Sequence, residues 1–281
     1  MKKLPLRVLW IFLLLSIFSS CVTKVLSEQE MVSWTEHYKD KSSIGDSVDS
    51  LIIGKSTSDV RVARLQYNME REVDLYYPPE MDLHEPRGAV VLVPGDSDQH
   101  VKEWFGKALK DTDQYLQWGQ VIAEHGMVAV TYGIGNPGEG LKNISSWLDD
   151  NSKLLGIDTL KIGFFSMNEN GCAIGMETLI IDNKNYTGPK PVFNIFYYGM
   201  LPLLSRKEIY TDVPIMIVQT EDNFRNVNES MDKFIIRAKE VGAPVTKIFY
   251  DGGIHEFDYK QDTPETREII EDTLNFMIEN M

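Results

Sequence analysis

Short apolar runs alternate with amphipathic segments along most of the chain, and this alternation constrains the fold more than any other feature of the sequence. The runs are typical of buried strands and cover residues 89–93, 127–132, 161–165, 192–198, 214–218 and 245–250. Segments with helical periodicity lie between them. Near-continuous apolar strands that take turns with helices are typical of a mostly parallel sheet covered on both faces. The sequence therefore predicts an α/β fold.

Two more strands are expected before the first apolar run. Residues 60–67 and 71–77 alternate between apolar and polar side chains, and Pro78 and Pro79 end the second stretch. They predict an antiparallel hairpin at the edge of a sheet of about eight strands. Helices are expected over residues 115–125, from Asn143 or Ser145 to Gly156, from the turn after Phe165 to Ile181, and over residues 229–240 and 263–277. The 281 residues suit one such domain, residues 59–281, without a cap domain.

The first residues have the layout of an export signal. Lys2, Lys3 and Arg7 precede an apolar run over residues 8–18. That run is shorter than the ~20 residues that a transmembrane helix needs. We therefore expect residues 1–20 to be a signal peptide.

The apolar run is followed by two small residues and a cysteine, Cys21. This order resembles a bacterial lipobox, with Phe18 in place of the usual leucine. It predicts a lipid on Cys21 and an exported protein held at a membrane surface of the cell envelope, with residues 21–58 as a polar tether. A plain cleaved signal, or an uncleaved anchor with an incidental cysteine, is the alternative.

Composition excludes several classes of partner and cofactor. The formal net charge of −14 argues against binding of nucleic acid or of anionic lipid through the protein surface. Membrane contact is therefore expected through the lipid anchor only. The five histidines show no metal-ligand spacing, so neither a metal nor another cofactor is predicted. Cys172 is the one cysteine besides Cys21, and no intramolecular disulfide is expected.

The most specific segment covers residues 156–171 and reads GIDTLKIGFFSMNENG. It resembles, without a gap, the segment Gly-Val-Asp-x-x-Arg/Lys-Ile-Gly-x-x-Gly-x-Ser-x-Gly-Gly of the dienelactone-hydrolase-like branch of the α/β-hydrolase fold. Residues 219–223 are similar to the block that holds the acid of that family, and residues 251–257 to the block that holds its histidine. The order nucleophile, acid, histidine is the order of this fold. The resemblance spans residues 60–281 and implies the α/β-hydrolase fold.

The resemblance implies a serine or cysteine nucleophile on a strained strand-to-helix turn, with small residues two positions before and after it. In the gapless register Asn168 takes the nucleophile position, between Ser166 and Asn170. Asparagine tolerates the left-handed backbone of such a turn better than other non-glycine residues. Its amide is not a nucleophile, however, so this register predicts the loss of triad hydrolysis.

A second register makes Ser166 the nucleophile. Phe164 would then take the small position before it and would crowd the packing of strand against helix. In either register Asp222 and His255 are the acid and the histidine. Alternatively, Asp222 and His255 have no catalytic role and form a hydrogen-bonded pair that holds two loops together. A third possibility is spontaneous deamidation of Asn168 to an aspartate nucleophile.

The predicted oxyanion hole combines the backbone N–H of Glu169 with one from the loop at Gly95 and Asp96. The carboxylates of Asp96, Asp98 and Glu169 would raise the energy of an oxyanion there unless they point away. Residues 133–140 lack the lysine of a phosphate-binding loop and are expected to form a loop at a pocket edge.

Weaker candidates are better explained by packing. Cys172 is expected to pack against the sheet rather than to act as a nucleophile. Several aromatic residues could line a pocket but are more often part of a core: Trp104, Trp118, Tyr132, Trp147 and Tyr198.

Two functions are therefore open. One is a catalytically impaired, surface-tethered relative whose Asp222/His255 cleft binds a small ester or acyl ligand. The other is an active serine carboxylic-ester hydrolase that uses Ser166, Asp222 and His255. The sequence indicates neither a substrate nor an oligomeric state.

Overall fold

The structure, a computed structural model, describes residues 59–68, 71–202, 208–223 and 225–281. The predicted export signal, the lipid site Cys21 and the polar tether all lie outside these residues. No helix in the described part of the chain is both long enough and apolar enough to cross a membrane.

An eight-stranded sheet forms the centre of the molecule, in the order β1-β2-β4-β3-β5-β6-β7-β8. β1 pairs with β2, and β2 with β4, in antiparallel fashion, and every other pairing is parallel. The strands are β1 Arg61–Gln66, β2 Glu72–Tyr77, β3 Arg87–Val93, β4 Val128–Tyr132, β5 Ile157–Met167, β6 Asn194–Tyr197, β7 Ile215–Asp222 and β8 Val245–Ile254. The predicted α/β fold and its N-terminal antiparallel hairpin are confirmed.

Seven α-helices are described. They are α1 Asp98–Phe105, α2 Asp113–Glu124, α3 Pro137–Leu155, α4 Asn168–Gly175, α5 Arg225–Glu240, α6 Phe257–Lys260 and α7 Pro264–Asn280. Two short 3₁₀ segments, Leu109–Asp111 and Met176–Leu179, complete the described helical structure.

Neighbouring residues of β5 show how the helices cover both faces of the sheet. Phe164 belongs to an apolar cluster that includes Trp147 of α3. Phe165 points to the opposite face, where its ring centroid lies 4.6 Å from that of Trp118 in α2. Because successive side chains of a strand point to opposite faces, this apolar pair requires cover on both sides.

Helix α3 begins earlier than the sequence predicts. The expected start near Asn143 or Ser145 is wrong, because the helix begins at Pro137. The Asn136 side chain accepts a hydrogen bond of 3.1 Å from the backbone nitrogen of Gly138, and proline suits the first helical turn. The second half of the predicted loop over residues 133–140 is therefore helical.

Candidate functional site

The turn from β5 into α4 places Asn168 at its tip. β5 ends at Met167, and Asn168 is the first residue of α4. The backbone of Asn168 has φ of +65°, in the left-handed region that is costly for most side chains. Its side chain is partly exposed. The strained position that this turn requires is thus occupied by residue 168.

Three glycines, Gly95, Gly171 and Gly199, close around this turn, and we call them the glycine cradle. A Cβ atom on Gly95 would lie 2.5 Å from the backbone nitrogen of Gly171. A Cβ atom on Gly199 would overlap the carbonyl oxygen of Asn168. The loop after β3 and the segment after β6 therefore approach the turn at backbone distance. Backbone contacts, rather than the side chain of residue 168, hold the turn in place.

Ser166 lies beneath the turn, inside β5. It pairs with Val93 of β3 and Phe196 of β6, and its side chain is 0 % exposed. A Cβ atom on Gly175 would overlap its Oγ atom, so the hydroxyl points at the underside of α4. It has no hydrogen-bond partner among the described residues. In this position the hydroxyl is closed off from any bound acyl group.

His255 follows β8 and is partly exposed. Its Nδ1 atom lies 3.2 Å from the side-chain oxygen of Asn223. Asp222, which the sequence pairs with the ring, contributes its backbone carbonyl, 3.0 Å from the backbone nitrogen of His255, and its side chain is exposed. The structure thus brings together residues 222, 223 and 255. The side chain next to Nδ1 of His255 is the amide of Asn223, whereas the carboxylate of Asp222 was expected there.

A buried hydrogen-bond network around Asp258 lies next to His255 and contacts its ring through Tyr198. The Tyr198 hydroxyl donates a 2.7 Å bond to Oδ1 of Asp258, and Trp118 Nε1 donates a 2.8 Å bond to Oδ2. Gln114 Nε2 donates to both Asp258 oxygens, at 3.2 and 3.0 Å. The ring centroids of Tyr198 and His255 are 4.9 Å apart in an edge-to-face arrangement.

Burial dominates the electrostatics of this network. Asp258 is 3 % exposed, and burial raises the pKa of its carboxyl although the hydrogen bonds from Trp118 and Tyr198 act in the opposite direction. Tyr198 has a positive φ of 37°, and burial raises the pKa of its hydroxyl well above the usual range. A non-glycine residue in this conformation needs support from its surroundings, and the network supplies it.

Sequence reasoning missed this network. It identifies Trp118 and Tyr198 only as aromatic residues of a core or a pocket, and it does not single out Asp258. The available signal was local: an aspartate three residues after His255, and a tyrosine directly after the strand next to β5. No spacing in the sequence joins residue 118 to residue 258.

The loop after β3 carries one carboxylate towards the elbow. Oδ1 of Asp96 accepts a 3.3 Å hydrogen bond from Nδ2 of Asn170. Asp98 turns the other way, because a Cβ atom on Gly133 would lie 2.5 Å from its Oδ2 atom. Burial raises the pKa of Asp98. Glu169, which with Gly95 and Asp96 was predicted to supply a backbone N–H to the oxyanion hole, has a partly exposed side chain.

A cavity of about 620 Å³ opens between this loop, the start of α3 and helix α4. Its lining combines polar side chains, with Asp96 as its carboxylate, with apolar surface that includes two side chains on α4, Ala173 and Ile174. The lining residues are Gly95, Asp96, Ser97, Gln99, His100, Gly135, Asn136, Asn170, Ala173 and Ile174. Cavities of this volume fit a small molecule. This one adjoins the turn at Asn170, whereas Asn168 and His255 are not part of its lining.

Cys172 is completely buried in α4. Its thiol lies 3.3 Å from the Ser166 carbonyl oxygen and 3.4 Å from that of Tyr197. Burial raises the pKa of the thiol well above its usual range. It therefore packs as a small apolar residue and has no access to a substrate.

No protein-family model matches the sequence, and no curated protein is similar to it at a significant level. Solved structures with similar folds exist. MGS-M1, an alpha/beta hydrolase enzyme from a Medee basin deep-sea metagenome library, superposes with a TM-score of 0.59 at 12% identity, over 79% of this chain and 98% of its own. Est2, a thermophilic esterase from the planctomycete Thermogutta terrifontis, superposes with a TM-score of 0.59 at 15% identity, over 79% and 92%.

The same esterase in its form phosphonylated by cyclosarin gives a TM-score of 0.55 at 16% identity, over 79% of this chain and 95% of its own. Identities this low establish the fold and nothing finer. The chain has the α/β-hydrolase fold.

Proposed function

We propose that this protein is a catalytically impaired relative of the dienelactone-hydrolase-like branch of the α/β-hydrolase fold, and that it binds a small ester or acyl ligand at the elbow without cleaving it. One observation carries the proposal: Asn168 has the left-handed backbone at the tip of the turn between β5 and α4. In this fold the nucleophile takes that position.

A carboxamide at the tip cannot replace the hydroxyl of a serine hydrolase. Its nitrogen lone pair is delocalised into the carbonyl group, and it has no proton whose removal by His255 would give a competent nucleophile. Nucleophilic catalysis on this fold needs a serine, cysteine or aspartate at that position. Without one, an ester bound at the elbow of this protein has no attacking group.

The partner of the histidine supports the same conclusion. In a working triad the carboxylate both orients the imidazole and stabilises the imidazolium that forms when it accepts a proton. The Asn223 amide oxygen, 3.2 Å from Nδ1 of His255, can orient the ring but carries no charge. Asn223 therefore cannot stabilise an imidazolium as a carboxylate would.

The position of Asp96 is a third support. Its carboxylate bonds to Asn170, two residues after the tip of the turn. An oxyanion that developed at the elbow would be repelled by this charge, since oxyanion holes are built from donors. Together these features favour binding of an intact neutral ligand over turnover.

The alternative is a serine carboxylic-ester hydrolase that uses Ser166, Asp222 and His255. The placement of Ser166 counts against it, because its side chain is 0 % exposed and its hydroxyl points at the underside of α4. We further propose, from the sequence of the first 21 residues alone, that the protein is exported and anchored through a lipid on Cys21.

Two assays on the purified protein test the loss of hydrolysis. Incubation with p-nitrophenyl acetate should give no turnover above the uncatalysed rate, and a fluorophosphonate probe should leave the intact mass unchanged. Turnover that Ser166→Ala abolishes would establish the serine hydrolase instead. A mass gain at any other residue of the elbow would also contradict the proposal.

Ligand binding needs a separate measurement. Ethyl butyrate is a suitable probe, and saturation-transfer NMR should show contact between it and the protein. Ala173→Trp, which fills the cavity beside α4, should reduce the transfer, whereas Lys153→Trp on the exposed face of α3 should leave it unchanged. Equal transfer in both variants would place the ligand elsewhere and contradict the site.

A further inference from the structure

Strand β8 is an end strand of the sheet. It pairs with β7 on one side, and no described strand lies on the other. At its C-terminal end the Gln261 side chain bonds to the backbone of Ile254 and of Gly252, each at 3.0 Å. Residues 245–251 therefore form the stretch of edge that is available to a further strand.

This edge exposes a large apolar side chain between two opposite charges. Phe249 is 51 % exposed. Because side chains alternate along a strand, Lys247 and Phe249 share one exposed face. Asp251 is also exposed and follows Tyr250, where the pairing of β8 with β7 becomes irregular. Tyr250 points to the other face and is buried in the core. An exposed apolar side chain on an unpaired edge favours association with another strand.

The order of these side chains is self-complementary under a two-fold axis. If two copies of β8 pair in antiparallel fashion with the axis at Phe249, the two phenylalanines face each other. Lys247 then lies opposite the partner's Asp251, and Asp251 opposite the partner's Lys247. Ile248 and Tyr250 pair in the same way on the core face. A shift of the axis by one residue separates the charges, so the sequence selects one register.

We propose that the protein forms a symmetric dimer through antiparallel pairing of the two β8 edges, with Phe249 at the axis and Lys247 facing Asp251 of the partner subunit. The interface is isologous, as closed two-fold dimers require. It is independent of the function proposed for the elbow.

The paired stretches of β8 carry no net charge, and this allows two acidic chains to associate there. Each carries a formal net charge of −14, so most surfaces of one copy repel the other. The paired stretch itself is neutral, because Lys247 and Asp251 cancel. Lys247 Nζ also lies 2.8 Å from Oδ1 of Asp232 in its own chain, and an ammonium group has three donors with which to serve both carboxylates.

Sedimentation velocity in a density-matched detergent, which keeps any lipid or leader segment in solution, tests the dimer. The purified protein should sediment as a dimer whose population grows with concentration. Lys247→Asp and Asp251→Lys each place like charges opposite one another and should weaken the dimer by about tenfold or more. An equimolar mixture of the two variants should form a heterodimer, since each reversed charge then meets its complement.

Asp232→Asn is the matched control. It removes the ion pair that Lys247 makes within its own chain and should leave the dimer intact. Circular dichroism should show that each variant is folded. A parent protein that stays monomeric would overturn the proposal. So would single variants that dimerise like the parent, a mixture that does not associate, or an Asp232→Asn variant that dissociates like Lys247→Asp.

Discussion

The side-chain oxygen of Asn223 lies 3.2 Å from the Nδ1 atom of His255, on the side of the ring where a catalytic triad has its carboxylate. Asp222 is the preceding residue in the chain, and it offers the histidine loop only its backbone carbonyl. The side chain that contacts Nδ1 is therefore a neutral amide. Asn168 at the tip of the turn and Asn223 beside the histidine thus both carry neutral amide side chains.

Restoring the hydroxyl at the turn should restore reactivity. We predict that Asn168→Ser becomes labelled by a fluorophosphonate, because the glycine cradle holds residue 168 in the nucleophile conformation whatever its side chain. Adding Asn223→Asp should accelerate labelling by about a hundredfold or more, since a carboxylate would stabilise the imidazolium. Intact-mass kinetics measure both rates. Ser166→Ala in the Asn168→Ser background should not change them, and labelling that depends on Ser166 would refute the assignment of the turn.

The left-handed backbone of residue 168 predicts an unusual order of stabilities. Asn168→Ala should lower the free energy of unfolding by about 1 kcal/mol, because alanine tolerates a φ of +65° less well than asparagine. Asn168→Gly should be neutral or stabilising. Urea titrations give both values, and Glu169→Ala on the adjacent helical position should change stability by less than about 0.5 kcal/mol. An alanine variant at residue 168 as stable as the glycine variant would show that the backbone is not strained.

Removing the hydroxyl of Ser166 should not destabilise the protein. The hydroxyl is buried without a partner among the described residues, and such a group costs about 1 to 3 kcal/mol. Ser166→Ala should therefore have an equal or higher melting temperature. Thr178→Val is a matched comparison, since the Thr178 hydroxyl donates to the Gly175 carbonyl at 2.8 Å. It should lower the unfolding free energy by about 1 kcal/mol. A loss of stability in Ser166→Ala would reveal a bonded hydroxyl.

Asp258 should make stability depend on pH. Because burial raises its pKa above the ordinary value of 3.8, the folded protein retains this proton to higher pH than the unfolded chain does. The associated stabilisation is complete below pH 3.8 and is lost as the pH rises through the raised pKa. The stability of the parent relative to Asp258→Asn should therefore fall over this window and then level off.

Urea unfolding at about pH 4 and at about pH 7 measures this difference. Asp258→Asn should also lose about 1 to 3 kcal/mol at neutral pH, because Trp118 and Tyr198 donate to different oxygens of Asp258 and the amide nitrogen of asparagine cannot accept either bond. Trp118→Phe removes one of these bonds but keeps the titrating carboxyl, so its pH trend should follow the parent. A difference between parent and Asp258→Asn that is the same at both pH values would contradict the assignment.

The periodic parts of the chain could be predicted from sequence. The apolar run over residues 89–93 lies within β3, and all but the first residue of the run over residues 214–218 form the start of β7. Continuous burial on two faces leaves this pattern in the sequence. The turn at Asn168 was predictable for a similar reason, since few residue types suit its backbone.

Contacts between distant segments of the chain could not be predicted from the sequence. The choice between Asp222 and Asn223 as partner of His255 depends on the irregular pairing at the end of β7, where the register with β8 shifts after Thr220. The network around Asp258 joins α2, the segment after β6 and α6. Such contacts arise from packing of the whole domain, and no local spacing encodes them.

The glycine cradle has a practical consequence. Because its contacts with the elbow do not involve the side chain of residue 168, position 168 is an attachment point whose geometry should survive a change of side chain. Asn168→Cys would put a thiol at the tip of the turn, while Cys172, the other thiol in the described chain, is sealed in the interior. A dye or crosslinker joined at residue 168 would then report on whatever enters the cleft.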